Sequence, residues 1–237
     1  MNALSIKHCT KRYKTFTLSN LTFDLPQGMI IGLIGENGAG KSTLIKCILG
    51  IIEFDEGTIT PSPLDFEKVS FIPDHCPYPD ILTIEQLEKD LKEIYSSWDH
   101  DSFAKMCRQF QLPTSQKIRE FSKGMKVKLC FCAALSHHAN FLILDEATSG
   151  LDPVVRDEIL DLLLQFIQEE DHTVLFSTHI TGGLEKVADH ILYLHKGKQM
   201  FLQSKDDLLN DYVMMHVSQD DFATIDPKKI IRYMRLP

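Results

Sequence analysis

The chain has 237 residues, of which 43% are hydrophobic and 24% are charged. A chain of this length forms one or two domains and buries a core that needs no stabilising disulfide. The composition excludes a disordered, collagen-like or coiled-coil protein. The 33 acidic residues outnumber the 25 Lys and Arg residues and give a net charge of −8. This acidity argues against a general nucleic-acid coat, and we expect no nucleic-acid partner.

The sequence also lacks the signals of membrane insertion and secretion. No run approaches the ~20 apolar residues of a membrane-spanning helix. The N terminus has neither the basic start nor the long apolar stretch of a signal peptide, so we expect a cytoplasmic location. The six cysteines form no Cys-x-x-Cys pair. We therefore predict reduced core thiols and neither a zinc site nor a redox motif.

The predicted elements begin with short antiparallel strands. A period of two places Leu4, Ile6 and His8 on one face, and a second alternating set follows at residues 21–25. The apolar run 29–34 predicts a strand that is buried on both faces. A glycine-rich turn then leads into a helix.

Residues 76–139 carry a helical pattern without a strand signal. Thr83 and Gln86 fit a capping box. Behind them, apolar residues that include Ile94 recur at helical spacing. Two more helices are predicted, the second over residues 124–138.

Strands return at residues 141–144, 174–177 and 191–195, and the last of these continues into a hairpin. The helix between the first two strands is predicted to begin with Asp152 as its N-cap and Pro153 as its first residue.

The segment from Gly35 to Ser42 matches the phosphate-loop pattern G-x-x-x-x-G-K-[ST], with a predicted strand before it and a helix after it. Glycines let the backbone wrap closely, so that successive N–H groups face phosphate oxygens. The helix N terminus adds a positive end. Lys41 is predicted to reach the β- and γ-phosphates, and Ser42 to bind Mg²⁺.

Two acids, Asp145 and Glu146, end the apolar strand at 141–144. Without a phosphate loop, two acids at the end of a strand could equally serve in helix capping or in a turn. Beside a phosphate loop, Asp145 can hold Mg²⁺ through a water ligand. Glu146 can then orient and deprotonate the attacking water as a general base.

Three further segments follow the phosphate loop in the sequence: Phe121-Ser122-Lys123-Gly124-Met125-Lys126, Ser149-Gly150-Leu151-Asp152 and Ser177-Thr178-His179. With the phosphate loop and the two acids, they resemble the nucleotide-binding subunits of ABC transporters over residues 1–205. The resemblance implies an α/β fold, with a RecA-like P-loop core, an antiparallel β portion and an inserted α-helical subdomain. The implied domains are the first part of the core (1–75), the helical subdomain with the signature motif (76–139), the second part of the core (140–205) and a C-terminal extension (206–237).

The resemblance also implies roles for single residues. Tyr13 stands where the family stacks an aromatic ring on adenine, with Phe16 as a rival. Ser122 and Gly124 belong to the signature motif, which contacts the nucleotide of the opposite subunit. His179 matches the switch histidine that senses the γ-phosphate. The residues implied to bind the nucleotide are Tyr13, Asn37, Gly38, Ala39, Gly40, Lys41, Ser42, Thr43, Ser122 and Gly124.

Two positions depart from the family pattern. The signature usually reads Leu-Ser-Gly-Gly-Gln, whereas the form found here is similar to that of exporter ATPases with ABC-2-type membrane subunits. The usual magnesium-binding glutamine is replaced by Asp74. A carboxylate about 5 Å from a γ-phosphate charge costs about 3 kcal/mol at an effective dielectric of about 20. With Mg²⁺ between the two charges, the carboxylate is a good ligand. We therefore predict Ser42, Asp74 and Asp145 as metal-binding residues.

Taken together, the motifs predict an ATP-hydrolysing subunit that uses ATP and Mg²⁺, with Glu146, His179 and Lys41 as catalytic residues. It would pair with a second nucleotide-binding subunit, as a homodimer or a heterodimer. It would power transport, with export as the expected direction, through a separate transmembrane permease that holds it at the inner face of the membrane. Segment 76–82 either docks that permease or is a stiff connector. The alternatives are a soluble P-loop kinase, a non-transport ABC ATPase and a non-hydrolysing regulator.

Overall fold

The computed structural model describes residues 1–61, 64–179 and 181–211, together with residues 217, 222, 224 and 225. Residues 1–205 form one unit and residues 206–237 form another. The described strands are β1 (Asn2–Arg12), β2 (Thr17–Pro26), β3 (Ile30–Ile34), β4 (Glu56–Thr60), β5 (Val69–Ile72), β6 (Phe141–Asp145), β7 (Thr173–Thr178), β8 (His190–His195) and β9 (Lys198–Ser204). The α-helices are α1 (Lys41–Ile48), α2 (Ile84–Ile94), α3 (His100–Gln109), α4 (Lys123–Leu135), α5 (Pro153–Phe166), α6 (Leu184–Val187) and α7 (Lys205–Asp211).

A six-stranded sheet in the order β5-β6-β7-β3-β8-β9 lies at the centre of the first unit. Its strands are parallel except for β9, which forms the predicted antiparallel hairpin with β8. Strand β3 pairs with β7 and β8 and is buried from Ile30 to Leu33, which confirms the prediction for this run. Because the carboxyl ends of parallel strands meet at one edge, the loops after β3, β6 and β7 come together there.

A second sheet, in the order β2-β1-β4, is antiparallel, as predicted for its first two strands. The predicted alternation is wrong at His8, which is exposed, whereas Leu4 and Ile6 are buried. The backbone of His8 has a φ of +53°, and the pairing with β2 shifts register between Ile6 and Cys9. This bulge turns Cys9 inward in place of the residue that regular alternation would bury.

Residues 76–139 form the predicted helical segment, and its described backbone contains only an isolated bridge between Thr83 and Lys117. The capping box at Thr83 and Gln86 is present. The predicted spacing fails at Ile94, whose side chain is 65% exposed. The chain leaves the helix at Tyr95, which is extended and turns its ring onto His137 at 3.9 Å between centroids.

One apolar cluster joins the two sheets to α1. It excludes water from the base of the phosphate loop, and burial of this kind is the main favourable term in folding. Its members include Leu4, Leu21, Leu25, Ile31, Leu33, Leu44, Ile45, Ile48, Ile143, Leu175 and Leu192. All six cysteines are free and five of them are buried, in agreement with the predicted core thiols. In the described ranges, no helix has the length and apolarity required to cross a bilayer.

Candidate functional site

The loop between β3 and α1 adopts a backbone that requires glycine. Gly38 and Gly40 have φ values of +81° and +108°, a region that side chains with a Cβ rarely adopt. A Cβ on Gly40 would also lie 2.5 Å from Leu18 Cδ2 and 2.7 Å from Phe16 Cζ. The glycines therefore shape the loop and let its backbone approach a ligand.

Lys41 begins α1 and is held inside this loop. Its Nζ donates to the carbonyl oxygens of Gly35 at 2.8 Å and Glu36 at 3.4 Å. It also forms an ion pair with Glu146 Oε1 at 3.2 Å. The described first turn of α1 contains no acidic side chain, so the positive end of the helix stays available to an anion.

Glu146 follows the end of β6 in an uncommon backbone conformation, with a φ of +55°. Its N–H donates to the carbonyl oxygen of Ser177 on β7 at 3.1 Å, which ties the turn to the neighbouring strand. Its Oε2 lies 2.5 Å from His179 Nδ1. Residues held in sparsely populated conformations cluster at functional sites. The tertiary structure thus brings Lys41, Glu146 and His179 into one contacting group, in which Glu146 forms an ion pair with Lys41 and a hydrogen bond with His179.

Asp145 offers a carboxylate oxygen that fits a metal-bound ligand. Its Oδ1 is buried and has no hydrogen-bond partner among the described residues. A buried polar atom of this kind normally has a partner, such as a water molecule or an ion. Within the same described ranges, no group of three or more His, Cys, Asp or Glu side chains could hold a metal by itself. Magnesium usually binds through one or two carboxylates together with phosphates and waters, so the donor set fits a metal that is bound together with a nucleotide.

A cleft of about 540 Å³ opens over the phosphate loop, within the size range of small-molecule sites. Asp74 lies in this cleft with Ser42, and its carboxylate also contacts His75 Nδ1 at 2.6 Å. The lining therefore contains most of the predicted site. It consists of Phe16, Asn37, Gly38, Gly40, Lys41, Ser42, Thr43, Asp74, Lys123, Glu146, Ser149 and His179.

Other predicted residues lie outside this lining. Tyr13 is 44% exposed, with the Lys11 ammonium 5.9 Å from its ring centre, whereas its rival Phe16 lines the cleft. The stacking role of Tyr13 stays a prediction. Ala39 is buried, and its carbonyl oxygen accepts from Gly197 N–H.

Lys123 and Ser149 line the cleft, although they were not predicted to bind the nucleotide. Each lies within a recognised motif of the sequence, and Lys123 also places a cation near the start of the signature helix, which is compatible with anion binding.

The signature segment caps a helix. Ser122 is the N-cap of α4, and its Oγ accepts from Met125 N–H at 3.2 Å. A Cβ on Gly124 would lie 3.2 Å from Val155 Cγ1, so glycine allows α4 to approach α5 closely. Neither Ser122 nor Gly124 is among the described residues that line the cleft of this chain.

The start of α5 is built as the sequence predicts. Asp152 is its N-cap, and the Asp152 Oδ1 accepts from Val154 N–H at 3.1 Å and Val155 N–H at 3.0 Å. Pro153 occupies the first turn, where its missing N–H costs nothing.

Comparison with known proteins identifies the family. Residues 18–149 match the family model described as ABC transporter. The ABC transporter ATP-binding protein YtrB of Bacillus subtilis (strain 168) is 27% identical over 227 residues, which are 93% of this chain and 76% of the relative. The lantibiotic transport ATP-binding protein SrtF of Streptococcus pyogenes is 30% identical, over 82% of this chain and 88% of that one.

A solved structure described as the ATP binding subunit of an ABC transporter has the same fold. It is 27% identical, with a TM-score of 0.78 over 93% of this chain and 97% of that chain. The predicted RecA-like P-loop fold is confirmed, and the kinase alternative is set aside. The chain belongs to the ABC transporter family as an ATP-binding subunit, and it is an ATPase.

Proposed function

We propose that this ATPase works as one half of a head-to-tail dimer with composite nucleotide sites. The observation that carries the proposal is the position of the signature residues. Ser122 and Gly124 stand at the start of α4 and are absent from the described cleft lining of their own chain, although Lys123 between them is part of it. A second subunit placed over the cleft would supply its own signature residues to the bound nucleotide.

Within one subunit, the phosphate loop binds the polyphosphate. The backbone N–H groups between Asn37 and Thr43 face the phosphate oxygens, and the Lys41 ammonium contacts the β- and γ-phosphates. Phe16 or Tyr13 stacks on the adenine. Ser42, Asp74 and Asp145 would hold Mg²⁺, directly or through its waters. When bound, the metal neutralises phosphate charge and orients the γ-phosphate.

Hydrolysis then depends on Glu146 as a general base. Its carboxylate accepts a proton from the water whose oxygen attacks the γ-phosphorus, and the bond to the β-phosphate oxygen breaks to give ADP and phosphate. His179, 2.5 Å from Glu146 Oε2, positions this carboxylate and contacts the γ-phosphate. Loss of the γ-phosphate removes the contacts that join the two subunits, so the dimer opens.

The opening and closing of the dimer would drive a separate transmembrane permease at the cytoplasmic face of the membrane. The proposed direction is export. It is supported by the similarity of the Ser122–Met125 signature to exporter ATPases. Segment 76–82, in which Ile81 is exposed, is the candidate permease contact.

Light scattering of the full chain tests the dimer. Glu146→Gln should double its mass with saturating Mg-ATP, because the nucleotide is bound but not cleaved. Lys41→Ala is the control that loses nucleotide and stays monomeric. In the Glu146→Gln background, Ser122→Glu should still bind ATP but should not pair. Its added carboxylate would face the phosphates of the nucleotide bound to the other subunit and repel them. The proposal fails if Glu146→Gln pairs neither with itself nor with a second nucleotide-binding subunit, even with the permease present, or if Ser122→Glu pairs equally well.

A further inference from the structure

Two residues that are paired in register in the central sheet each carry a buried polar atom without a hydrogen-bond partner among the described residues. The Ser177 side chain is 0% exposed, and its Oγ has no hydrogen-bond partner among the residues that the structure describes. Ser177 is the register partner of Asp145 on the adjacent parallel strand, and Asp145 Oδ1 is a second such atom. Because buried hydroxyl groups and carboxylates are almost always hydrogen-bonded, this pair indicates a shared ligand.

The two side chains face the helix of the phosphate loop. Ile143 and Leu175 precede Asp145 and Ser177 by two residues, and both belong to the apolar cluster that includes Leu44 of α1. Side chains two residues apart lie on the same face of a strand. Asp145 and Ser177 therefore lie on the face that α1 covers, and α1 carries Ser42 in its first turn.

Of the two residues paired in register with Ser177, only Asp145 has a polar side chain. On its other side, the register partner is Leu33 of β3, whose side chain is apolar. The backbone oxygen of Ser177 accepts from Glu146 N–H, which does not involve the hydroxyl group. In register, Asp145 is thus the polar neighbour of Ser177.

We propose that Ser177 is a positioning residue for the magnesium–nucleotide complex, in which its hydroxyl group and the Asp145 carboxylate hold a water ligand of the metal between them. The inference rests on the proposed function, because it requires the metal to bind with ATP at this edge of the sheet. Protein-bound Mg²⁺ keeps several of its waters, and side chains that hydrogen-bond to these waters hold them in place. This role explains why a buried strand position carries a hydroxyl group.

The test is a titration of MgCl₂ at a fixed concentration of a fluorescent ATP analogue, with the full chain. Ser177→Ala should raise the Mg²⁺ concentration at half-maximal binding about 10-fold, the lower end of the range for such residues. Binding of the analogue in EDTA should not change. Ser177→Thr keeps the hydroxyl group and should behave as the wild type. Ser177→Cys keeps the side-chain volume but lacks a strong hydrogen-bond donor, so it should match the alanine variant. If Ser177→Ala does not fold, Ser177→Cys takes its place in the test.

Thr173→Val is the matched control. Thr173 lies on the same face near the other end of β7, where its hydroxyl group accepts from Gly28 N–H at 3.3 Å, so the magnesium titration should not change. The role of Ser177 would be overturned if the wild type, Ser177→Ala and Ser177→Cys all reached half-maximal binding at the same Mg²⁺ concentration. It would also be overturned if a folded Ser177→Thr variant needed as much Mg²⁺ as the alanine and cysteine variants. If wild-type binding is independent of Mg²⁺, the magnesium part of the proposed function itself fails.

Discussion

The Lys41 ammonium and the Glu146 carboxylate form an ion pair, with 3.2 Å between Nζ and Oε1. Both side chains are largely buried, and a buried charge is costly unless it is paired. Before nucleotide binds, the candidate phosphate-binding lysine and the candidate base therefore neutralise each other. A γ-phosphate that binds Lys41 would take the place of this carboxylate and release it toward the attacking water.

Glu146→Gln should therefore bind ATP at least as tightly as the wild type and release phosphate at least about 100-fold more slowly, because the amide cannot accept the proton. Phosphate release and fluorescent-nucleotide binding measure the two effects. Glu169→Gln, an exposed substitution of the same kind, is the control and should leave both unchanged. Normal turnover in Glu146→Gln would refute the assignment of the base.

Asp74→Gln tests the departure from the usual glutamine. A neutral amide is a weaker ligand for Mg²⁺ than a carboxylate, so half-maximal turnover should require more Mg²⁺. Steady-state ATPase rates across a magnesium titration measure this. Asp90→Asn, on the exposed face of α2, should not shift the curve. If turnover and magnesium affinity are both unchanged in Asp74→Gln, Asp74 is not a metal ligand.

Gly40→Ala should destabilise the phosphate loop by about 1–2 kcal/mol or more. Its φ of +108° disfavours a residue with a Cβ, and the added atom would meet Leu18 and Phe16. Urea unfolding and nucleotide affinity should both show the loss. Gly182→Ala provides the control, because no described atom beyond Gly182 and its two chain neighbours lies within 4 Å of the added Cβ. Unchanged stability and binding in Gly40→Ala would contradict the described loop.

His137 should make the stability of the fold sensitive to acid. Burial lowers the pKa of its imidazole below 6.5, although the nearby Glu67 opposes this. In the folded chain, His137 lies 2.5 Å from Ser70 Oγ. The unfolded chain takes up a proton near pH 6.5, and the folded chain only at lower pH. Between these two values the unfolded state binds more protons, so stability falls as the pH drops below about 6.5.

His137→Gln should reduce this dependence, which thermal unfolding between pH 7.5 and 5.5 would measure. His138→Gln changes an exposed neighbour and should keep the wild-type slope. An identical loss of stability in His137→Gln and the wild type would show that His137 is not the responsible group.

Local physics explains which parts of the fold could be predicted. The capping box at Thr83 and the N-cap at Asp152 depend on residues close in the chain, and both were predicted correctly. His8 and Ile94 were misplaced for a non-local reason. A register shift against β2 turns His8 outward. Ile94 is the last residue of α2, and the next residue, Tyr95, leaves the helix and stacks on His137. Neither interaction leaves a periodic signal in the sequence.

The sequence by itself determined the family, the phosphate loop and the identity of the two acids, because contiguous motifs carry their own backbone requirements and chemistry. Only the tertiary structure decided that Glu146 lies between Lys41 and His179, and that Ser177 lies beside Asp145. These residues are distant in the chain, and the pairing order of parallel strands, which brings them together, is set by the packing of the whole core.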